Sequence, residues 1–214
     1  MGTSVADWDR LSRIYDRQLW LERRAIQAAL ELARPTRETA LLDAGTGTGA
    51  VLRTLATRAD PPRRVVGVDS SEAMLARVGP LPEGWRLVRA DVTALPFDDE
   101  SFDIATAVYV LHVLAPGARA AALGELRRVL RPGGRLVTVT PGLPSRALSR
   151  PFWWALGELA GLMPSRFCGL RLLDPRPELV EAGFGLECAR TVRRGYYSLC
   201  VRAQHADKME AWRP

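Results

Sequence analysis

The sequence predicts an α/β protein, a largely parallel sheet with helices on both faces, and three observations lead there. Apolar runs with strand spacing alternate with helix-compatible runs through most of the chain. A glycine-rich turn, Gly45-Thr46-Gly47-Thr48-Gly49, follows the first apolar run, Ala40-Leu41-Leu42, with Asp43 two residues ahead of it. The first three apolar runs each close on a carboxylate: Asp43, Asp69 and Asp91. Parallel strands present their C-terminal ends at one sheet edge, so these carboxylates gather where open α/β sheets bind ligands.

The elements follow in order. Leu11, Ile14, Leu19, Ile26, Leu30 and Ala33 recur at helical spacing, and Pro35 ends the pattern. Residues 1–36 are therefore expected to form a helical cap of one or two helices. Strand 40–44 leads into the glycine turn and a helix over 49–59. The missing Cβ atoms let a ligand lie against the backbone, and the helix start offers unpaired N–H groups. Strand 64–68 ends at Asp69, helix 71–78 follows, and strand 86–90 ends at Asp91. A turn at Pro96–Ser101 precedes strand 103–108, helix 118–130 and strand 134–140. Pro132-Gly133-Gly134 is expected to separate the last helix from the last of these strands.

The stretch 143–173 breaks this rhythm. It carries Phe152-Trp153-Trp154 and Leu159, Leu162 and Met163, interrupted by Pro144, Pro151 and Pro164. A helical insertion on the acceptor side of the sheet is expected. A helix over 176–182 and two strands over 185–192 and 195–203 complete the pattern. Gly195 between them suits a hairpin, hence an antiparallel end to the sheet. Residues 204–214 read as a polar tail.

Composition bounds the function classes. The 214 residues suit one domain, and 47% apolar with 25% charged residues is ordinary for a soluble globular chain. No apolar run approaches the roughly 20 residues that span a bilayer. The start of the chain has no basic stretch followed by an apolar core, so no signal peptide is expected. Gly2 suggests myristoylation, but Ala6 stands where that motif has Ser or Thr. Cys168, Cys188 and Cys200 match neither a disulfide framework nor a metal site, and reduced thiols in the cytoplasm are expected. The net charge of +6 is almost entirely arginine, since Lys208 is the sole lysine. The basic residues are scattered, without the clustering of a nucleic-acid binder. No metal site is expected either: Asp98, Asp99 and Glu100 read as a solvated turn.

Four stretches carry a resemblance. They are Asp43-Ala-Gly45-Thr-Gly47-Thr-Gly49, Asp69-Ser-Ser-Glu-Ala-Met74-Leu75, Asp91-Val92 ahead of Leu95-Pro96-Phe97, and Leu126 to Gly134. Together they resemble the class I S-adenosylmethionine-dependent methyltransferases, above all the ubiquinone and menaquinone C-methyltransferase (methyltransferase type 11) subgroup. The likeness covers roughly residues 37–140, counted on this numbering.

The resemblance implies a Rossmann-like seven-stranded mixed sheet, its last strand antiparallel, in a methyltransferase domain over 37–203. It implies S-adenosylmethionine as methyl donor and S-adenosylhomocysteine as product. Gly45 and Gly47 would let the backbone approach the methionine part and the sulfonium, with Asp43 supporting the amino group. Asp69 would accept from the ribose hydroxyls. Met74 would line the adenine pocket, and the Asp91 side chain and Val92 N–H would meet the adenine edge. Thr46, Gly49 and Ser70 complete the cofactor-binding set. Val108 and Tyr109 would face the methyl group, with Tyr109 and His112 as the catalytic candidates. The donor carries no phosphate, and a carboxylate such as Asp43 repels phosphate but suits an ammonium group.

Competing readings stand beside these. Gly45-x-Gly47-x-x-Ala50 also satisfies a relaxed nicotinamide fingerprint, so an NAD-dependent oxidoreductase is one alternative. A non-catalytic S-adenosylmethionine sensor or partner subunit is another. His112 suits a general base, against the more ordinary role of a packing histidine. Tyr109 has the same two readings. Phe152, Trp153 and Trp154 suit an aromatic wall for an apolar acceptor, a peripheral membrane contact, or plain burial. Arg146, Arg150, Arg166 and Arg171 suit an anionic acceptor or simple solvation. Nucleic acid is not expected as a partner. The expected acceptor is a small apolar or lipid-like molecule, a quinone precursor or secondary metabolite, methylated by direct in-line displacement.

Overall fold

The computed structural model describes residues 19–142, 171–193 and 197–205. Helix α1 (Leu19–Ala33) precedes β1 (Ala40–Ala44), α2 (Ala50–Ala56), β2 (Arg64–Asp69), the one-turn helix α3 (Glu72–Leu75) and β3 (Trp85–Arg89). Then come β4 (Phe102–Val108), a 3₁₀ turn (Leu111–Val113), α4 (Pro116–Val129) and β5 (Leu130–Pro141). Helix α5 (Arg176–Glu181), β6 (Phe184–Val192) and β7 (Ser198–His205) complete the described elements. The part of the expected N-terminal cap before residue 19, nearly all of the 143–173 insertion, Cys168 and Gly195 lie outside the described residues.

The seven strands run in the order β3-β2-β1-β4-β5-β7-β6. Strands β1 to β5 pair in parallel, and β7 runs antiparallel to both β5 and β6. The mixed sheet with an antiparallel last strand is therefore present. Alternation along β1 divides the core. Leu41 faces the layer of α1 and α2, with Ala29, Leu30, Leu52 and Leu55, while Leu42 faces α4, with Leu123 and Leu126. In α1 the buried positions Ala25, Ile26, Ala29, Leu30 and Ala33 form one stripe, which is why this segment is helical and docked.

Several boundaries differ from expectation for local reasons. Helix α3 stops after four residues although 71–78 has helical composition; Ser71 caps it, accepting from the Met74 N–H at 3.2 Å. Pro132-Gly133-Gly134 does not separate helix from strand. Leu130 already pairs with Phe102, and pairing resumes at Arg135 opposite Ile104, so the residues between bulge out of β5. Gly133, at φ 75°, turns that bulge. Gln204 and His205 belong to β7 and not to a tail, and the His205 ring lies 3.0 Å from the Leu130 carbonyl.

The site edge follows from this topology. After β1 the chain moves outward to β2 and β3, then returns to β4 on the other side of β1. Strands β1 and β4 thus flank the point where strand order reverses, the usual place for a ligand in such sheets.

Candidate active site

Asp43 sits on β1 at this reversal, and the register places Thr106 of β4 directly beside it. Its carboxylate is 1% exposed and accepts two hydroxyl hydrogen bonds. Thr106 donates to Oδ1 and Thr46 to Oδ2, both at 2.7 Å. Burial lifts the Asp43 carboxyl from 3.8 to about 6; the two hydroxyls oppose the rise and the nearby Asp69 charge adds to it. The fold keeps a carboxylate where it is costly to ionise, which is a mark of a functional site.

Asp69 ends β2, half-buried, and organises the glycine turn. Its Oδ2 accepts the Gly47 N–H at 2.8 Å and its Oδ1 accepts the Ser71 N–H at 2.9 Å. The Thr46 N–H goes to the Val68 carbonyl at 2.8 Å and the Gly49 N–H to the Thr46 carbonyl at 2.9 Å. Three N–H groups of the turn are therefore bound within the protein, and two carboxylates flank it. A pyrophosphate needs free donors and positive potential. This edge offers acceptors and negative charge instead, which suits a ligand bearing ammonium and sulfonium groups.

Two of the glycines serve different ends. A Cβ on Gly45 would lie 2.6 Å from Val110 Cγ2, so this glycine (φ +70°) allows the turn after β4 to close on the loop. Gly47, at φ +55°, has nothing within 4 Å of a built Cβ, so its face is open to a ligand. Gly45→Ala is thus expected to destabilise the fold, by about 2–3 kcal/mol from overpacking and left-handed strain. Gly47→Ala is expected to cost about 1 kcal/mol of stability while weakening donor binding by about tenfold. Thermal unfolding and calorimetric titration of the two variants separate these outcomes.

The remaining expected site residues lie along the same edge. Met74 and Val92 are buried and Ser70 is half-buried beside Asp69. Asp91 is exposed two residues past the end of β3, and its Oδ1 accepts from the Thr93 N–H and hydroxyl at 2.9 and 2.8 Å. Strands β3, β2, β1 and β4 are neighbours in that order, so Asp91, Asp69, Asp43 and Val108 follow one another across the edge.

Tyr109 and His112 occupy the turn that Val110 presses against Gly45. Tyr109 has φ 56°, rare for a residue with a side chain, and such backbone strain concentrates at functional positions. It is buried in the same core cluster as Ala25, Ala29, Val139 and Cys200, and its hydroxyl lies 2.6 Å from Ser198 Oγ on β7. His112 stands edge-on to Tyr109, ring centres 6.1 Å apart. It is 6% exposed, with Nδ1 buried and without a hydrogen-bond partner among the described residues. Burial, helped by the Arg171 charge, pushes its imidazole down to about 3, so the ring is neutral at physiological pH. A neutral imidazole accepts a hydrogen bond but holds a proton poorly. Sequence reasoning missed Thr106, whose only signal was a hydroxyl inside the apolar run of β4. It also missed Val110, which carries none. Among the described residues no group of three or more His, Cys, Asp or Glu could hold a metal ion.

A family model described as a methyltransferase domain matches residues 42–138. Over 186 residues the chain is 39% identical to the demethylmenaquinone methyltransferase of Thermus thermophilus, covering 82% of this chain and 80% of that enzyme. The chain belongs to this methyltransferase family. It is also 32% identical over 190 residues to a malonyl-[acyl-carrier protein] O-methyltransferase of Erwinia pyrifoliae, covering 86% of this chain and 69% of the relative. Some other curated relatives are longer, and the chain spans 56% and 55% of two of them. Among solved structures, it resembles a Burkholderia thailandensis 1,6-didemethyltoxoflavin-N1-methyltransferase holding S-adenosylhomocysteine, with TM-score 0.67 and 22% identity over 95% of this chain and 88% of the other. A likeness at that identity speaks to the fold. As a family member this methyltransferase uses S-adenosylmethionine as donor, and the nicotinamide reading of the glycine run is set aside.

Proposed function

We propose that this methyltransferase transfers a methyl group to a small apolar acceptor of the quinol or phenol type by direct in-line displacement. The observation that carries the reading is the acceptor-rich β1–β2–β4 edge, with Asp43 and Asp69 facing the loop whose open glycine is Gly47. Similarity to a demethylmenaquinone methyltransferase over four fifths of both chains supports the acceptor class.

In this reading the donor lies across the tips of β1, β2 and β3. Asp43 holds the ammonium group, Gly45 and Gly47 admit the methionine part, with Thr46 and Gly49 shaping the turn. Asp69 and Ser70 take the ribose, and Met74, Asp91 and Val92 bound the adenine. The methyl group faces Val108 and Tyr109. The acceptor bonds to the methyl carbon as its bond to sulfur breaks, S-adenosylhomocysteine leaves neutral at sulfur, and the proton displaced from the acceptor passes to water. The protein therefore mainly keeps water out of the line of attack and aligns nucleophile, carbon and sulfur. The neutral His112 Nδ1 accepts a hydrogen bond from an acceptor hydroxyl and orients it. Tyr109, held by Ser198, fixes the wall behind the methyl group.

The test is methyl transfer from labelled donor to detergent-solubilised demethylmenaquinol. Carbon-methylated product with one equivalent of S-adenosylhomocysteine is expected. Donor binding without transfer to this or related quinols would contradict the acceptor class and favour a sensor or partner subunit. His112→Leu is expected to lower turnover tenfold or more, about 1.5 kcal/mol, with donor affinity unchanged. His112→Asn, which keeps an acceptor oxygen, should recover part of the loss.

A further inference from the structure

A groove of about 610 Å³ runs between α1 and α2, outside the donor site. Its lining includes Trp20, Arg23, Ile26, Leu30, Arg53 and Arg58. Trp20 is 73% exposed, an unusual setting for the largest apolar side chain. Most ion pairs of this molecule match an arginine to a carboxylate, yet Arg23 and Arg58 have no such partner among the described residues. The one carboxylate lining the groove among the described residues, Glu31, is taken by Arg190 at 2.6 Å. Among the described residues the groove therefore has uncompensated positive charge above an aliphatic floor, with an indole at its end.

The orientation of α1 gives this face its place. The helix ends at Ala33, shortly before β1 begins at Ala40, so its C-terminus lies at the edge where β1 starts. Its N-terminus, with Trp20, points toward the opposite edge, that of Asp43 and the glycine turn.

We propose that this groove docks the methyltransferase on an anionic phospholipid surface. An indole settles at the level of lipid headgroups, guanidinium groups bind phosphates in two-pronged fashion, and the floor of Ile26 and Leu30 accepts apolar chain. A nucleic acid would need a track of phosphate contacts along the surface. Here the guanidinium groups line a single short groove beside one aromatic ring. Docking brings the Trp20 end, and with it the donor-site edge, toward the phase where an apolar acceptor dissolves, an advantage that rests on the acceptor reading above.

Co-sedimentation with vesicles tests this. The full chain is expected to pellet with phosphatidylcholine vesicles containing phosphatidylglycerol and not with phosphatidylcholine alone, and to be released at high salt. The Arg23→Glu/Arg58→Glu variant, alone and with Trp20→Ser, should bind anionic vesicles at least tenfold more weakly. Its affinity for S-adenosylhomocysteine and its melting temperature should stay as in the wild type. Failure of the wild type to pellet with anionic vesicles would overturn the proposal. So would wild-type binding by the variants, or tighter binding to single-stranded RNA than to vesicles at equal salt. Turnover in detergent reports separately on the acceptor: turnover without vesicle binding defeats only the docking, and vesicle binding without turnover defeats only the acceptor reading.

Discussion

Asp43→Asn is expected to make the protein more stable and less able to bind its donor. The Asp43 carboxyl has a folded value raised to about 6 against 3.8 for the free group. Between these values the folded chain holds a proton that the unfolded chain has lost. Stability therefore falls as pH rises from about 4 to about 6, and the full penalty remains at neutral pH. An amide carries no charge to desolvate, and its oxygen and nitrogen can still pair with the hydroxyls of Thr46 and Thr106. Removing the penalty should add on the order of 2 kcal/mol, raising the melting temperature by about 5 °C at pH 7.5. The gain should shrink toward zero at pH 4, where wild-type Asp43 is protonated in the fold. Donor affinity should drop by about tenfold to a hundredfold, the contribution of a charge-assisted hydrogen bond to the ammonium group. In the wild type the affinity should weaken as pH falls through about 6, a slope absent from the variant. A less stable variant at neutral pH, or one that binds donor normally, would remove Asp43 from the assigned role.

Asp69→Ala is expected to have the largest effect on the donor site. The substitution deprives the Gly47 and Ser71 N–H groups of their acceptor at once. It also removes the acceptor assigned to the ribose. The loss to the fold should be about 1–2 kcal/mol, because both N–H groups are only part-buried and water can replace the carboxylate. The loss in S-adenosylhomocysteine affinity should be larger, about 2–3 kcal/mol, or thirtyfold to a hundredfold and more. The 2′-deoxyribose analogue separates the two causes. Wild-type protein should prefer the ribose form clearly, and the variant should bind both forms equally. A preference that survives in Asp69→Ala would place the ribose elsewhere and leave Asp69 as a loop anchor.

These two carboxylates show what was legible in the chain. Asp43 and Asp69 follow apolar runs with strand spacing, so their place at one sheet edge could be read from pattern alone. The seven-stranded mixed sheet came with the resemblance, Gly195 gave a local reason for a hairpin and an antiparallel finish, and the strand order was not read from the sequence at all. The partners of Asp43 were not legible as a pair. Thr46 is near in sequence, but Thr106 reaches Asp43 only through the β1–β4 register, a contact across 63 residues. The bulge at Pro132–Gly134 misled for a similar reason. Proline and glycine usually punctuate, but here Leu130 is already held by its pairing with Phe102. Tyr109 and His112 were singled out as candidates by their position after β4. Their surroundings, the Ser198 hydroxyl for one and a buried nitrogen without a partner among the described residues for the other, are products of packing that no local pattern encodes. The groove between α1 and α2 was invisible for the same reason, since Arg23 and Arg58 lie far apart in the chain and look like any other scattered arginines.

Calorimetric titration of the wild-type protein with S-adenosylmethionine, S-adenosylhomocysteine and NAD tests the donor site most directly. Binding of the first two, with no heat from NAD, is the result that an edge of two carboxylates and bonded loop N–H groups predicts. Binding of NAD in place of the sulfonium donor would mean that the loop opens to a pyrophosphate, and would contradict the assignment of Asp43 and Asp69.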